Sequence, residues 1–408
     1  LPSISQRQLN QFRMAATIYV DEFMSEPSLF QELAADLAER KANHLYRTRR
    51  VLDSPQGARV TVDGRELLNF CSNDYLGLAN HPSVVAAAQA GAVRWGVGSG
   101  ASHLVAGHFA IEQALEDRLA AWAGKPAAIT LSTGYMANLA VVTGLVGRGD
   151  AVFADKTNHA SLNDAMALSR ADVKRFAHSD VAALERLLAA STAKRKMIIV
   201  DAVFSMDGDI APLAEMLALA ESYDALLYID DAHGFGVLGD GRGTLAELGL
   251  SSPRIIYMAT LGKAAGVAGA YIAAEQVVID YLINTAKPYI YTTAAPPMIA
   301  AAMHASLDVI ESDSARRDTL HRHIAYFRDS LAGTCALLPS RTAIQPILLP
   351  DVATAVAVSQ ALFDAGFWVA AIRPPTVPTP RLRVVLNAAH TDEEVAALCK
   401  MLQRILSA

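Results

Sequence analysis

The chain of 408 residues is 52% apolar and 19% charged, which excludes general disorder because burial can offset chain entropy, and its length suits two or three domains. Its 35 basic and 41 acidic residues give a net charge of −6, without the basic excess of a nucleic-acid binder. Three scattered cysteines, Cys71, Cys335 and Cys399, make neither a disulfide framework nor a Cys-x-x-Cys metal site, so no metal is expected and a reducing, cytoplasmic setting is.

Residues 1 to 23 read as an extension of unassigned role, since Met24-Ser-Glu-Pro is a more ordinary start and the N-terminus lacks the features of a secretory signal. From 29 to 50, Leu33 and Leu37 among many charges predict an amphipathic helix whose C-terminal end carries Arg47, Arg49 and Arg50. That basic run is either a solvated helix end or an anion site. Two short strands around the turn Val62-Asp63-Gly64 complete a segment spanning 24 to 81. From 82 to 310 apolar runs alternate with helical patterns, the signature of a large, mostly parallel α/β sheet. A helix over 111–123 leads to strands at 127–131, 151–154, 197–200, 225–229, 255–259 and 270–273, several of them continuously apolar as strands covered on both faces are. The weakly charged stretch 126–147 is interrupted by Ser132, Thr133, Gly134 and Asn138, which suits a buried strand, turn and helix and not a membrane span. Residues 311 to 408 change character: a helix over 353–365, strands at 368–372 and 382–386, and a last helix capped by Thr391 and Glu394 predict a smaller α+β domain.

Ligands of an open parallel sheet gather at the C-terminal ends of its strands, so the polar residues that follow each apolar run are the candidates. Ser132-Thr133-Gly134-Tyr135 opens a helix, where free N–H groups suit a phosphate, although Ser and Thr cap any helix. Another strand leads to His159, and another to Ser205. Asp230-Asp231-Ala-His233 follows a buried strand directly, which turn and cap carboxylates explain less well than a site does. The next strand delivers Thr260-Leu-Gly-Lys263; a lysine in so uncharged a setting is desolvated, which lowers its pKa and makes it an amine nucleophile. A phosphate cradle, an aromatic His, a buried Asp and a Lys at successive strand ends match the needs of pyridoxal 5′-phosphate: Lys263 to bind it covalently, Asp230 to keep its ring nitrogen protonated and His159 to stack on its face. A dinucleotide-binding reading of Gly96-Val-Gly98-Ser-Gly-Ala101 fails on context, because that motif should follow a strand and here follows a helical run.

Seven motifs in order give the chain a family likeness: Ser72-Asn-Asp-Tyr-Leu-Gly-Leu78, Gly98-Ser-Gly-Ala-Ser-His-Leu104, His159-Ala-Ser-Leu162, Phe204-Ser-Met-Asp-Gly-Asp209, Asp230-Asp-Ala-His-Gly234, Thr260-Leu-Gly-Lys263 and Ile372-Arg-Pro-Pro-Thr-Val-Pro378. The chain resembles the α-oxoamine synthases, pyridoxal-phosphate acyltransferases of aminotransferase fold type I, from about residue 29 to the C-terminus. The resemblance implies that Lys263 carries the cofactor and acts as base at the substrate Cα, with Asp230 at the ring nitrogen, His233 at the ring hydroxyl and His159 stacked on the ring. It implies Thr133, Gly134, Tyr135 and Thr260 around the phosphate, Ser205 near the ring, Arg373 on the amino-acid carboxylate and Asn73 among the substrate-binding residues. Thr292 and Thr293 match a segment that in this family reaches into the neighbouring subunit's phosphate site, implying a homodimer with shared active sites; the alternative is ordinary turn residues before a proline pair. Ser102-His103-Leu104 and the Arg373 motif favour the branch that condenses L-alanine with a pimeloyl thioester, on CoA or acyl-carrier protein, in biotin biosynthesis. The glycine-using sister enzymes are the alternative. Arg47 aligns with a cation that would meet the far carboxylate of the pimeloyl chain. Two departures stand out: only Thr379 and Pro380 separate Pro378 from Arg381, which shortens a family loop, and Ala264-Ala265 follows Lys263 where a bulky residue is common.

Overall fold

The computed structural model describes residues 28 to 407, so the extension read into residues 1 to 23 lies outside the described residues. Helix α1, Leu29–Ala42, opens on a reciprocal capping box between Ser28 and Gln31. It stops sooner than the charge pattern suggested, because Asn43 caps it and His44 turns the chain with φ of 56°. Arg47, Arg49 and Arg50 therefore lie in an irregular segment beyond the helix, not on its last turn. None of the α1 residues is buried in this chain, so its apolar side chains, Phe30 among them, face outward.

Strands β1, Arg59–Val62, and β2, Arg65–Asn69, form the expected hairpin; Asp63 and Gly64 both take positive φ, as a two-residue turn that follows strand twist requires. Helix α2, Pro82–Trp95, starts on its proline, and a single π-helical turn, His103–Gly107, leads to α3, Ala110–Trp122. The chain then lays down β3 (Ala127–Leu131), α4 (Gly134–Leu145), β4 (Ala151–Asp155), α5 (Ala160–Ser169), β5 (Asp172–Phe176), α6 (Val181–Ala189), β6 (Lys196–Asp201), α7 (Leu213–Ser222), β7 (Leu226–Asp230), β8 (Ile255–Thr260) and β9 (Ala270–Ala274). These seven strands form one sheet in the order β3-β9-β8-β7-β6-β4-β5, parallel except for β9, which runs against both of its neighbours. The sheet is mostly parallel, as the alternation of apolar runs and helices implied. Its strands look continuously apolar because each face has its own core. Phe153, Ile198, Ile229 and Tyr257 pack on one side, and Val152, Ile199, Tyr228 and Met258 on the other. Strand β5 escaped the hydrophobic pattern because it is a charged edge strand, Asp-Val-Lys-Arg-Phe, with only Phe176 buried.

Helices α8 (Gln276–Thr285), α9 (Pro297–Ser312) and α10 (Ser314–Leu331) lead to a smaller C-terminal α+β unit. It holds β10 (Ile344–Leu348), α11 (Val352–Asp364), β11 (Phe367–Trp368), β12 (Ala370–Ile372), β13 (Arg381–Val385) and α12 (Asp392–Leu406), the last opened by the expected box of Thr391 and Glu394. The strand expected over 368–372 divides between two sheets: β11 adds in parallel to β2, while β12 pairs antiparallel with β13. The N-terminal hairpin is thus completed by residues some 300 positions away, a pairing that no local pattern encodes. Strand β10, interrupted by Pro346, pairs with β13 and was not anticipated. Among the described residues no helix is long and apolar enough to cross a membrane.

Candidate active site

Four adjacent strands end at one cavity of about 170 Å³. Strand β4 leads to His159, β6 ends at Asp201, β7 ends at Asp230, and β8 ends at Thr260 with Lys263 three residues beyond; the start of α4 closes the far side with Gly134 and Tyr135. Eight of the expected site residues meet here: Gly134, Tyr135, His159, Ser205, Asp230, His233, Thr260 and Lys263. The sequence spacing alone could not say so, because strand order, not chain order, decides which strand ends are neighbours.

Among the described residues Lys263 Nζ has one polar contact, His233 Nε2 at 2.9 Å. Burial pushes the Lys263 amine down to about 8, against the opposing charge of Asp230. His233 is itself held well below its ordinary range, first by burial and then by the Lys263 charge, so it is neutral and accepts from the lysine. Its Nδ1 lies 2.6 Å from the Tyr75 hydroxyl, which is 3.2 Å from Asn73 Oδ1. Asn73 Oδ1 also accepts from both terminal nitrogens of Arg383, at 3.2 and 3.1 Å, and Arg383 Nε donates to the Ser205 carbonyl at 2.7 Å. A continuous polar relay therefore runs from Lys263 to the small sheet. Asn73 does not line the cavity; it anchors this relay.

On the opposite side, Asp230 Oδ2 accepts from the Asn138 amide at 2.8 Å, and its Oδ1 accepts from the Ala232 N–H at 3.0 Å. Asn138 is oriented by the Tyr228 hydroxyl at 2.5 Å and also reaches Ser161 Oγ at 2.8 Å. Ser161 Oγ in turn lies 2.7 Å from His159 Nδ1, which fixes the imidazole at the N-terminus of α5. Burial lowers the His159 pKa, leaving a neutral ring. Asp201, Tyr228 and Arg383 escaped sequence reasoning, and Asn138, Ser161 and Tyr75, noted there within a turn or a motif, were given no role in the site. A signal existed for two: Asn138 lies one helical turn after Gly134, and Tyr228 shares a strand face with Asp230.

The remaining expected residues lie elsewhere. Thr133 points its hydroxyl back to cap α4, accepting the Met136 N–H at 3.1 Å. Arg373 donates to the Tyr46 carbonyl at 2.8 Å, while its buried Nε has no partner among the described residues. Arg47 donates to Thr376 Oγ1 at 3.3 Å, and its charge adds to burial in lowering the Arg373 pKa, so the two guanidiniums are neighbours. Thr292 and Thr293 line a separate small hollow with His103, Ser132 and Tyr289.

A family model, aminotransferase class I and II, matches residues 65–402. The chain belongs to this family. It is a pyridoxal 5′-phosphate-dependent enzyme of fold type I, an acyltransferase of the α-oxoamine synthase kind that the seven motifs implied. Similar curated proteins include the 8-amino-7-oxononanoate synthases of Aromatoleum aromaticum, 56% identical over 381 residues (92% of this chain, 99% of that one), and of Chromobacterium violaceum, 56% identical over 376 residues (92% and 98%). Among solved structures, Sphingomonas wittichii serine palmitoyltransferase superposes with a TM-score of 0.88 at 30% identity, covering 93% of this chain and 98% of that one. The 8-amino-7-oxononanoate synthase of Francisella tularensis gives 0.74 at 30% identity, covering 84% and 98%.

The cavity of this family member suits its cofactor on its own chemistry. It offers one primary amine of lowered pKa, one carboxylate fixed by two donors and two imidazoles that burial keeps neutral, all converging from strand ends. At its α4 end, a Cβ added to Gly134 would come within 2.5 Å of Thr260 Cγ2, so this position leaves backbone, not side chain, facing the cavity.

Proposed function

We propose that this enzyme is an 8-amino-7-oxononanoate synthase, joining L-alanine to a pimeloyl thioester of CoA or acyl-carrier protein with loss of CO2, as a step of biotin biosynthesis in the cytoplasm. The observation that carries this reading is the identity of 54 to 56% with proteins of that name, aligned over 90 to 93% of the chain. Lys263 would bind the cofactor covalently, with Asp230 at the ring nitrogen, His159 against the ring, His233 at the ring hydroxyl and Ser205 near the ring. Gly134, Tyr135 and Thr260, backed by the Thr133 cap, would surround the phosphate. When bound, pyridoxal phosphate supplies an electron sink for charge developing at the amino-acid Cα.

Once released by the incoming amino acid, the Lys263 amine is the base that takes the alanine Cα proton; a pKa near 8 leaves a useful share of it neutral around pH 7. The Cα–acyl carbon bond then forms as the thiol leaves, and the alanine carboxylate departs as CO2, with a proton returned to Cα. His233, neutral and 2.9 Å from Nζ, holds the amine between these two proton transfers. Arg373 would grip the alanine carboxylate, and its unpartnered Nε supports an anion partner there. Arg47 would meet the distal pimeloyl carboxylate. Exposed apolar side chains, Phe30, Val93, Val105 and Tyr291, support a homodimer, in which Thr292 and Thr293 would serve the neighbouring copy's phosphate site.

Thiol release measured with pimeloyl-, octanoyl- and acetyl-CoA, each with alanine and with glycine, tests the reading. Pimeloyl-CoA with alanine should be the preferred pair by at least tenfold. Preference for glycine with acetyl-CoA would overturn it in favour of a sister enzyme.

A further inference from the structure

Asp201 is the carboxyl group of the cavity to which no role has fallen. It ends β6 directly in register with Asp230 on β7 and is 3% exposed. Its Oδ2 accepts the His159 N–H at 3.0 Å, while its Oδ1, buried on a residue that lines the cavity, has no hydrogen-bond partner among the described residues. Two neighbouring carboxyl groups thus face a single amine, that of Lys263, and two imidazoles, His159 and His233, that burial keeps neutral. Behind these, Arg383 reaches the amine only through Asn73, Tyr75 and His233, and Asp155 at the end of β4 is already paired with His178 and Thr157. Ionising both carboxyl groups would leave the cavity floor with an unbalanced buried charge. Of the two, Asp230 is the better-solvated anion, because both of its oxygens accept a donor; Asp201 has a donor on one only.

We infer that Asp201 is a positioning residue that stays protonated, so that Asp230 is the sole anion of the cavity floor while Oδ2 fixes the His159 backbone and Oδ1–H is offered as a donor to the bound cofactor. Among the described residues nothing bonds Oδ1, so its partner has to come from what fills the cavity, and with Asp230 carrying the charge a proton on Oδ1 makes it a donor to that partner. Burial, then the neighbouring Asp230 charge, raise the Asp201 pKa in the same sense. This inference rests on the cofactor and not on which thioester is used.

Asp201→Asn retains shape, neutrality and a donor, so it separates the protonated from the ionised case. In the holoenzyme, the pH midpoint of the cofactor's visible absorbance should move by less than about 0.3 units, and cofactor loss on dilution should stay within about threefold of the parent. The wild-type minus Asp201→Asn infrared difference near neutral pH should contain a protonated-carboxyl stretch. Asp201→Ala, which removes the donor and the acceptor for His159 N–H, should lose cofactor about tenfold or more faster. A midpoint shift of about a unit or more in Asp201→Asn, or no protonated-carboxyl band, overturns the inference. If Asp201→Ala does not fold, the Asp201→Asn midpoint and band decide by themselves. Neither readout depends on alanine or an acyl donor, so rejection of those substrates would leave this result standing.

Discussion

The lowered pKa of Lys263 makes a prediction about how the protein captures its cofactor. With burial holding the amine at about 8 in place of the ordinary 10.5, about one lysine in ten is neutral at pH 7, against about one in three thousand for an exposed one. Only a neutral amine attacks an aldehyde, so on the role proposed for Lys263 the buried position raises the reactive fraction roughly 300-fold at that pH. Apoprotein mixed with pyridoxal phosphate in a stopped-flow spectrometer should therefore show a capture rate that rises with pH up to about 8 and then levels. Asp230→Asn removes the largest force opposing the shift, so its plateau should begin at lower pH, while the bound cofactor is released faster for want of its carboxylate. Lys263→Ala should capture nothing covalently, and borohydride reduction of the wild type should leave the label on Lys263. A rate that keeps climbing tenfold per pH unit beyond 9 would refute the reasoning, because the amine would then be titrating as an exposed one does.

Gly134→Ala sets a Cβ 2.5 Å from Thr260 Cγ2 and should weaken cofactor retention about tenfold; Thr260→Ser, which deletes that methyl, should restore most of the loss in the double variant, measured by equilibrium dialysis. His178, paired first with Asp155 and then with Asp209, is raised to about 10 and ties β4 to the Phe204-to-Asp209 loop. A raised pKa contributes stability that is complete below about pH 6.5 and is lost as pH climbs through 10, so His178→Gln should cost about 1–2 kcal/mol in urea unfolding at pH 6, after allowance for its partial exposure, with the difference closing by pH 10. Arg47→Ala should slow use of pimeloyl-CoA about tenfold or more relative to octanoyl-CoA, which has no distal charge. Arg373 stays charged at neutral pH with or without its Arg47 neighbour, so alanine affinity read from the cofactor spectrum should barely change; an equal loss with both acyl donors would show that Arg47 acts on folding instead.

Much of this protein was legible in one dimension. Buried parallel strands are apolar on both faces, so six of the seven strands of the main sheet stood out as apolar runs, and their polar C-terminal neighbours named eight residues that meet in one cavity. Capping chemistry is local, and Thr391 with Glu394 was readable for that reason. What tertiary structure alone decided is non-local. The β2–β11 pairing joins distant segments, the charged edge strand β5 is held by one neighbour and not by its own pattern, and α1 ends where His44 turns. In the site, Asn138, Tyr75 and Arg383 acquire meaning only through partners 92, 158 and 310 positions away. Asp201 acquires its meaning from a carboxylate on the next strand, and Arg47 from a guanidinium of the C-terminal unit. A sequence records which groups are present and their local preferences; the distances that set their charge and hydrogen bonding exist only once the strands have been ordered.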